Sequence, residues 1–284
     1  MKLNDVLQKT IQFFKDKNFD TPRLDAELLI AHALKLPRIQ LYAKFDSPLS
    51  EAEVNLCRDY VKRRTAGEPV AYIIEEKGFY GHIFKVKSGV LIPRPETEMI
   101  IDEVLKDFKK HPKDHVRILD LGAGTGCIGL SILKHIPLAE LVTVEKSAEA
   151  FALVQENIAS LDLSERTKAI HADVASLNAA ELGEFDYIVS NPPYIDVNDT
   201  QVEVNVRKFE PSMALFSEEN GLYALKSWSA KFAPSLKAEG LMLFEMGHTQ
   251  GDAMKKHFSD LAKLKEVTVL KDLSGLDRII KGRA

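Results

Sequence analysis

The sequence lacks several features that would place it in a specialised class of protein. Its two cysteines, Cys57 and Cys127, lie far apart and form no CxxC pair, which argues against a disulfide framework and a cysteine-based zinc site. No run of about 18 apolar residues occurs, and charges interrupt residues 1–20, so we expect neither a membrane span nor a signal peptide. The histidines are scattered, and we expect no bound metal. We therefore expect a cytoplasmic protein.

An excess of positive charge is also missing. The 284 residues carry a formal net charge of −4, with 45% hydrophobic and 28% charged residues, as in an ordinary globular protein. Bulk electrostatics therefore do not favour stable binding to nucleic acid. The basic stretch RDYVKRR, from Arg58 to Arg64, is compatible with a docking patch for an acidic partner or RNA, or with a solvated helix face, which is favoured. We expect a monomer that binds no membrane.

Helical periodicity dominates the first part of the chain. Apolar residues recur at helical spacing, Thr21-Pro22 fits the start of a helix, and SEAE at Ser50–Glu53 is a capping box. We predict a small all-helical domain over residues 1–75. The next segment, 76–92, is rich in β-branched and aromatic residues and contains glycines, which predicts a β-hairpin linker.

Strand and helix patterns alternate from about residue 96 onward. This alternation indicates a mostly parallel sheet covered by helices on both faces. The last strand candidate follows the one before it after only a short turn, so the two must run antiparallel. We predict a doubly wound α/β sheet with a C-terminal antiparallel hairpin in a domain over residues 93–284. The strand candidates are Val116–Leu121, Leu141–Glu145, Thr167–His171, Phe185–Ser190, Leu241–Glu245, Leu264–Leu270 and Asp277–Lys281.

A glycine-rich turn lies in the stretch ILDLGAGTGCIGL, between a strand and a helix pattern. Gly122, Gly124 and Gly126 allow a sharp turn and a close approach to a ligand, and the following helix N-terminus offers N–H groups. The GxGxG spacing differs from the GxGxxG of hydride-transfer enzymes. Glu145 ends the next strand, where an acid holds ribose hydroxyls. We predict a nucleotide-like cofactor, and Asp173 either approaches its adenine or caps the following turn.

The stretch SNPPYID follows the fourth strand of this domain, at the edge where doubly wound folds bind ligands. Pro192 and Pro193 lack N–H groups and restrict their neighbours, so the segment is stiff and rich in acceptors. The Asn191 side-chain oxygen and the Pro192 carbonyl can accept both hydrogens of a planar –NH₂ group, while Tyr194 covers its plane. The substrate nitrogen therefore belongs to an amide or to an aromatic amine.

Both kinds of nitrogen are weak nucleophiles because their lone pair is delocalised. Holding both hydrogens raises the electron density on nitrogen and aims it at an electrophile, and such orientation accounts for roughly 7–11 kcal/mol of a reaction barrier. A sulfonium methyl donor leaves as a neutral thioether, so no general acid is needed. This chemistry agrees with a motif that contains neither histidine nor paired carboxylates.

The combination of DLGAGTG, Glu145 and NPPY resembles the S-adenosylmethionine-dependent methyltransferases that modify amino groups. With GEPVAYI, GVLIPRPETE, VRKFEPSMAL and LMLFEMGHTQG, the chain resembles the HemK/PrmC family over nearly its whole length. The resemblance implies a Rossmann-like class I fold with a seven-stranded sheet, and S-adenosyl-L-methionine as cofactor with S-adenosyl-L-homocysteine as product. It implies methylation of the glutamine amide nitrogen, N5, in the GGQ motif of peptide chain release factors. It also implies that residues 1–75 dock the release factor.

The resemblance also implies roles for individual residues. The expected cofactor contacts are Gly122, Ala123, Gly124, Thr125, Gly126, Glu145, Asp173, Val174, Asn191, Arg94 and Pro95. The residues expected to hold the substrate amide are Asn191, Pro192, Pro193 and Tyr194, of which Asn191, Pro192 and Tyr194 are the expected catalytic residues. The segment with Arg94, Pro95 and Thr97 either closes over the cofactor or serves the fold. The residues expected to shape the rim of the site are Phe209, Glu210 and Pro211.

Two departures from the family pattern affect these expectations. Residues 74–78 read IEEKG where a glycine often comes sooner, which leaves the hairpin's turn geometry open, and Val174 replaces a possible aromatic residue, so adenine stacking is expected to be weaker. Three alternatives remain: a glutamine methyltransferase for a ribosomal protein, a DNA adenine methyltransferase and a non-catalytic adaptor. The DNA enzyme needs a basic groove or a recognition domain that the chain lacks, and the intact Asn191 and glycine turn argue against an adaptor.

Overall fold

A computed structural model describes all residues, 1–284, and the chain forms two compact units, Met1–Glu76 and Lys77–Ala284. The first unit is helical, as predicted. Its helices are α1 (Leu3–Asp16), α2 (Pro22–Ala33), α3 (Gln40–Ala43), α4 (Glu51–Thr65) and α5 (Val70–Ile74). The Ser50 hydroxyl accepts the Glu53 N–H, and the Glu53 carboxylate accepts the Ser50 N–H, so the predicted capping box is confirmed. Apolar side chains at helical spacing, such as Leu7 and Phe14, form the core.

The basic stretch at the end of α4 is largely used inside this unit. Arg63 pairs with Glu68 at 2.6 Å. Arg64 pairs with Asp25 at 2.7 Å, and its guanidinium lies over the ring of Phe19, 4.5 Å from the centroid. These contacts assign two of the cations to the stability of the helical unit rather than to a partner.

The second unit contains the remaining elements. Its strands are β1 (Glu76–Phe79), β2 (His82–Lys85), β3 (Val116–Leu121), β4 (Ala139–Glu145), β5 (Thr167–His171), β6 (Phe185–Ser190), β7 (Ile195–Asp196), β8 (Phe216–Ser217), β9 (Leu236–Glu245), β10 (Glu266–Lys271) and β11 (Asp277–Arg283). Its helices are α6 (Glu98–Lys110), α7 (Cys127–His135), α8 (Ala148–Ser160), α9 (Val204–Phe209), α10 (Ser212–Leu215), α11 (Tyr223–Phe232) and α12 (Gly251–Asp260).

A seven-stranded sheet organises the second unit, in the order β10-β11-β9-β6-β3-β4-β5. Strands β9, β6, β3, β4 and β5 are parallel to one another, whereas β11 runs antiparallel to both β9 and β10. The predicted doubly wound sheet with a C-terminal antiparallel hairpin is therefore confirmed. Leu121 at the end of β3 is in register with Val144 and with Ser190, so the carboxyl ends of three strands meet at one edge.

The hairpin β1–β2 packs against the second unit's core. Tyr80 and Gly81 form its two-residue turn with φ of 47° and 76°, the left-handed conformation that tight hairpin turns require. Phe79 and Phe84 are buried in the same apolar cluster as the sheet. The turn geometry that the sequence left open is thus a standard one, while the roles assigned to residues 1–75, 76–92 and 93–284 stay predictions.

One pair of strands was not predicted. Ile195 and Asp196, directly after the NPPY motif, form β7 and pair in parallel with Phe216 and Ser217 of β8. A strand of two residues has no periodicity to detect. The pair ties the motif to the segment that contains α9 and α10. No helix in the chain has the length and apolar character that crossing a bilayer requires.

Candidate active site

A cleft of about 930 Å³ opens at the carboxyl edge of the parallel strands. The predicted site residues that line it are Arg94, Thr97, Gly122, Ala123, Gly124, Thr125, Glu145, Asp173, Val174, Asn191, Pro193 and Pro211. The predicted residues that do not line it are Pro95, Gly126, Pro192, Tyr194, Phe209 and Glu210. The structure therefore gathers the glycine turn, the acid of β4 and the NPPY amide around one space, as expected from strand ends that share an edge.

The glycine turn adopts a backbone that other residues rarely tolerate. Gly122, Gly124 and Gly126 have φ of 69°, 58° and 79°. A Cβ on Gly126 would lie 2.5 Å from a methyl group of Val154, whereas a Cβ on Gly124 would have no neighbour nearer than 4.0 Å. Gly126 is thus required by packing, and Gly124 leaves open space above the turn where a ligand can approach the backbone.

The side chain of Asp120, near the end of β3, forms a hydrogen bond with the backbone of α7. Its Oδ2 accepts the Gly129 N–H at 3.0 Å, and its Oδ1 has no hydrogen-bond partner. Burial, with a smaller effect of the Glu145 charge, raises the pKa of Asp120 to about 7. A Cβ on Gly129 would lie 2.9 Å from Asp120 Oδ2 and 2.8 Å from Leu141, so the helix approaches the strand closely only because residue 129 is glycine.

Glu145 lies in the wall of the cleft with its carboxylate held by the backbone. Its Oε2 accepts the Gly124 N–H at 2.8 Å, and its Oε1 accepts the Ser147 N–H at 2.8 Å. Each carboxylate oxygen can accept a second hydrogen bond, so two acceptors remain. A fixed carboxylate with two spare lone pairs suits a vicinal diol such as that of a ribose.

Asp173 fits both sequence interpretations. Its Oδ1 caps the following turn by accepting the Ala175 N–H at 2.8 Å, and its Oδ2 pairs with Lys146 at 2.7 Å. The hydrogen bond with Lys146 lowers the pKa of Asp173. The residue also lines the cleft beside Val174, so capping the turn does not prevent contact with a ligand.

The NPPY motif is held from behind by side chains of other elements. The Asn191 Nδ2 donates to the Thr97 hydroxyl at 3.3 Å, and the Tyr194 hydroxyl donates to Glu245 at 3.0 Å. The Gln250 side-chain amide donates to the Tyr194 carbonyl at 2.9 Å. The loop is therefore fixed at both ends of the motif.

Three residues of the site were not predicted from the sequence. Glu245, at the end of β9, is 1% exposed and accepts the hydroxyl protons of Thr97 and Tyr194. Trp228, the single tryptophan, lines the cleft, and a Cβ on Gly122 would lie 3.0 Å from its ring. Gln250 holds the motif's backbone. Glu245 and Gln250 both lie in the stretch LMLFEMGHTQG that contributes to the family resemblance, and Glu245 also ends an apolar strand, whereas Trp228 had no sequence signal.

An ion pair joins two segments beside the cleft. Arg94, in the segment before α6, donates to the carboxylate of Glu210, which is 6% exposed. Pro211 follows directly and lines the cleft. Arg94 therefore both borders the cleft and ties its segment to the one that contains α9 and α10.

The residues around the cleft fit a nucleoside. The glycine turn leaves room at Gly124, Glu145 offers acceptors for a diol, and apolar side chains such as Val174 and Ile128 provide a surface for a base. The thiol of Cys127 also lines the cleft, but burial raises its pKa to about 12, so it is no nucleophile near neutral pH.

Comparison with known proteins identifies the family. The model of the PrmC N-terminal domain matches residues 5–74, and that of the methyltransferase small domain matches residues 99–238. A release factor glutamine methyltransferase from Caulobacter vibrioides is 39% identical over 270 residues, which cover 94% of this chain and 91% of that protein. The chain belongs to the release factor glutamine methyltransferase family.

A second member of the release factor glutamine methyltransferase family, from Chlorobaculum tepidum, is 35% identical over 280 residues, 96% of this chain and 94% of that protein. A methyltransferase of known structure from Pyrococcus furiosus superposes with a TM-score of 0.53 at 14% identity, over 79% of this chain and 98% of that one, which supports the fold alone. The resemblance to the HemK/PrmC family is confirmed, and this family member is a methyltransferase.

Proposed function

We propose that this protein transfers a methyl group from S-adenosyl-L-methionine to the side-chain amide nitrogen, N5, of the glutamine in the GGQ motif of peptide chain release factors. One observation carries the proposal. Asn191 lines the same cleft as the glycine turn, and its Nδ2 amide group already donates a hydrogen bond to the Thr97 hydroxyl. Its Oδ1 is therefore the atom left to accept an N–H from a substrate amide.

The NPPY segment holds the substrate nitrogen by accepting its hydrogens. Asn191 Oδ1 accepts one hydrogen and the Pro192 carbonyl accepts the other, because neither proline of the motif competes as a donor. Pro193 lines the cleft and gives the amide an apolar contact. The Tyr194 hydroxyl is bound to Glu245 at 3.0 Å, which fixes the ring directly after the two prolines, although the ring does not line the cleft.

The cofactor binds along the strand ends. Bound there, S-adenosyl-L-methionine supplies an electrophilic methyl group on a sulfonium centre. Glu145 holds the ribose hydroxyls, and Asp173 and Val174 flank the adenine. The remaining backbone and side-chain contacts come from Arg94, Gly122, Ala123, Gly124, Thr125 and Asn191, whereas Pro95 and Gly126, which were also expected, do not line the cleft. The fixed acceptors at Glu145 and the open space at Gly124 support this arrangement.

The helical unit supplies a docking surface for the release factor. A groove of about 1280 Å³ lies between α1 and α4, with apolar walls that include Val6, Val54 and the 40% exposed Phe13. Its lining includes the cations Lys9, Arg58 and Lys62 and no acidic side chain. Lys9 and Lys62 form no ion pair within the chain. This combination fits an acidic segment of the release factor with apolar side chains along one face.

Substitution of Asn191 tests the proposal. We expect Asn191→Ala to abolish methylation of a purified release factor, because one acceptor for the amide is lost, while cofactor affinity stays within a few fold. Cofactor binding can be followed by the fluorescence of Trp228, which lines the cleft. Asn198→Ala, an exposed position in the following loop, is the matched control and should leave turnover unchanged.

We call Asn191 Oδ1 and the Pro192 carbonyl, which together hold the substrate amide, the substrate clamp. Full turnover by the Asn191→Ala variant would contradict this clamp. If wild-type protein methylated a ribosomal protein and no release factor, the clamp would stand and the release factor proposal would fall. Because release factors act in translation, the proposal also places the protein in the cytoplasm. We propose that it acts there as a monomer without stable binding to nucleic acid.

A further inference from the structure

The buried carboxyl group of Glu245, which holds the Tyr194 hydroxyl, also lies behind Asn191 at the start of the NPPY motif. Glu245 ends β9, where Phe244 is in register with Ser190, so Glu245 and Asn191 leave neighbouring strands at the same level. Glu245 is 1% exposed and forms no ion pair. Its Oε2 accepts the Thr97 hydroxyl at 2.6 Å, and its Oε1 accepts the Tyr194 hydroxyl at 3.0 Å.

The donor and acceptor roles in these hydrogen bonds determine how Asn191 is oriented. The Thr97 hydroxyl has a single proton, and it is donated to Glu245. The Thr97 oxygen can then act only as an acceptor toward Asn191, whose Nδ2 donates to it at 3.3 Å. The carboxamide is thereby oriented with Nδ2 toward Thr97 and Oδ1 away from it.

The opposite orientation of the Asn191 carboxamide would prevent it from accepting a hydrogen bond from the substrate amide. If Thr97 donated to Asn191, the amide would turn and present its –NH₂ group toward the substrate, which also presents an –NH₂ group. Two donors facing each other cannot hydrogen-bond, and the buried donor would go unpaired. The Glu245 oxygen that faces Thr97 accepts the Thr97 hydroxyl proton, and this acceptor selects the productive orientation.

We propose that Glu245 and Thr97 are positioning residues that fix the orientation of the Asn191 carboxamide, so that Oδ1 faces the substrate nitrogen. The inference rests on the proposed function and adds to it the residues that set the polarity of the clamp. The same carboxylate binds the Tyr194 hydroxyl, so it orients residues at both ends of the motif.

Burial raises the pKa of Glu245, whereas the hydrogen bonds from Thr97 and Tyr194 and the charge of Arg278 act in the opposite direction. The charged or titratable groups that act on it, or on which it acts, are Glu96, Cys127, Tyr194 and Arg278. Arg278 is itself paired with Asp272 at 2.9 Å. A proton on Oε1, beside Tyr194, would still leave Oε2 as the acceptor for the Thr97 hydroxyl, so the geometry at Thr97 carries the inference.

Substitutions at Thr97 give the first test. Thr97→Val keeps the shape but removes the hydroxyl, so Asn191 loses its anchor, and we expect kcat to fall about tenfold or more, since small misplacement of a reacting group costs up to about a hundredfold. Thr97→Ser restores the hydroxyl and should keep kcat within about threefold. The KM for the release factor and the cofactor affinity should change little in both variants, because docking and cofactor contacts come from other residues.

A double-mutant cycle tests the polarity itself. In Glu245→Gln the new amide can donate to Thr97, whose hydroxyl then donates to Asn191 and turns its amide, so kcat should fall about tenfold or more. Asn191→Asp alone places a carboxylate against a hydroxyl that has no proton to give, and activity should be lost. In Glu245→Gln combined with Asn191→Asp, the hydroxyl donates to the new carboxylate, whose second oxygen can accept the substrate hydrogen. We expect this double variant to exceed Asn191→Asp at least about fivefold in kcat, a coupling of the size seen for contacting residues.

The outcomes separate this inference from the proposed function. Wild-type protein that leaves release factors unmodified refutes the proposed function. Wild-type activity that survives Thr97→Val at full kcat, or additive effects of Glu245→Gln and Asn191→Asp, refutes the positioning role and leaves the function intact. Melting temperatures and cofactor affinity, measured for every variant, show whether a loss of kcat comes from unfolding. For a variant that does not fold, the Thr97→Ser and Thr97→Val pair decides.

Discussion

Asp120 shows how burial changes the chemistry of a single residue in this fold. It is 1% exposed, accepts one backbone N–H from Gly129 and has a second oxygen without a partner. Burial raises its pKa from 3.8 to about 7, and the nearby carboxylate of Glu145 acts in the same direction. The buried thiol of Cys127 is the other titratable group beside it. A carboxyl group in this state reduces stability whenever it is ionised.

The pH dependence of stability follows from this shift. Between pH 3.8 and about 7, Asp120 is protonated in the folded protein and ionised in the unfolded chain. The contribution of Asp120 to the free energy of unfolding therefore falls as pH rises through this window and is constant above it. The Asn side chain keeps an acceptor for Gly129 but cannot ionise. We expect Asp120→Asn to raise the melting temperature relative to wild type by more at pH 8 than at pH 5, as measured by calorimetry.

The exposed acid Asp114 gives the control for this prediction. Asp114→Asn should shift the melting temperature by nearly the same small amount at both pH values. A difference between Asp120→Asn and wild type that does not grow from pH 5 to pH 8 would contradict a raised pKa at position 120.

At the scale of elements, the helices α1 and α4 carry the proposed docking groove. Lys9 and Lys62 lie on its rim, whereas Lys15 and Lys44 of the same unit do not line it. Lys9→Glu combined with Lys62→Glu reverses the charge of the rim and should raise the KM for the release factor about tenfold, with kcat and cofactor affinity unchanged. Lost charge complementarity acts mainly on association of the partner.

The matched control is Lys15→Glu combined with Lys44→Glu, which changes the net charge equally on other faces of the helical unit. Its KM should stay within about twofold of wild type if only local charge matters. Equal increases of KM in the two double variants would assign the effect to net charge and contradict docking in the groove.

The elements also show what could be predicted from the sequence. Strands such as β3 and β6 are apolar runs with buried side chains on both faces, so composition alone predicts them. The capping box at Ser50 and the short turn before β11 are local signals that the structure confirms. The pair β7–β8 has two residues per strand and left no pattern to detect.

The site was predictable to the extent that it depends on strand ends. Glycines and an acid at the ends of neighbouring parallel strands must meet. In the structure the Gly124 nitrogen and Glu145 Oε2 are 2.8 Å apart. The network behind Asn191 could not be predicted in this way. Thr97 and Glu245 are 148 positions apart in sequence, and only the packing of the 3₁₀ turn before α6 against β9 brings their oxygens to 2.6 Å. Contacts between residues so far apart in the chain produce no local sequence pattern from which they could be predicted.

At the scale of the whole molecule, the chain joins a helical unit and a methyltransferase unit, and its relatives contain both over nearly their full length. The proposed protein substrate agrees with the net charge of −4, which provides no excess of positive charge for a phosphate backbone. The central claim is that the cleft next to Asn191 accepts a glutamine side chain presented by a release factor.

Tandem mass spectrometry of a release factor incubated with the protein and S-adenosyl-L-methionine tests this claim most directly. We predict one added methyl group on the side-chain amide of the GGQ glutamine, and none when that glutamine is replaced by alanine or when the protein carries Asn191→Ala. A methyl group on any other residue of the release factor, or an unmodified glutamine after prolonged incubation with folded, cofactor-binding protein, would contradict it.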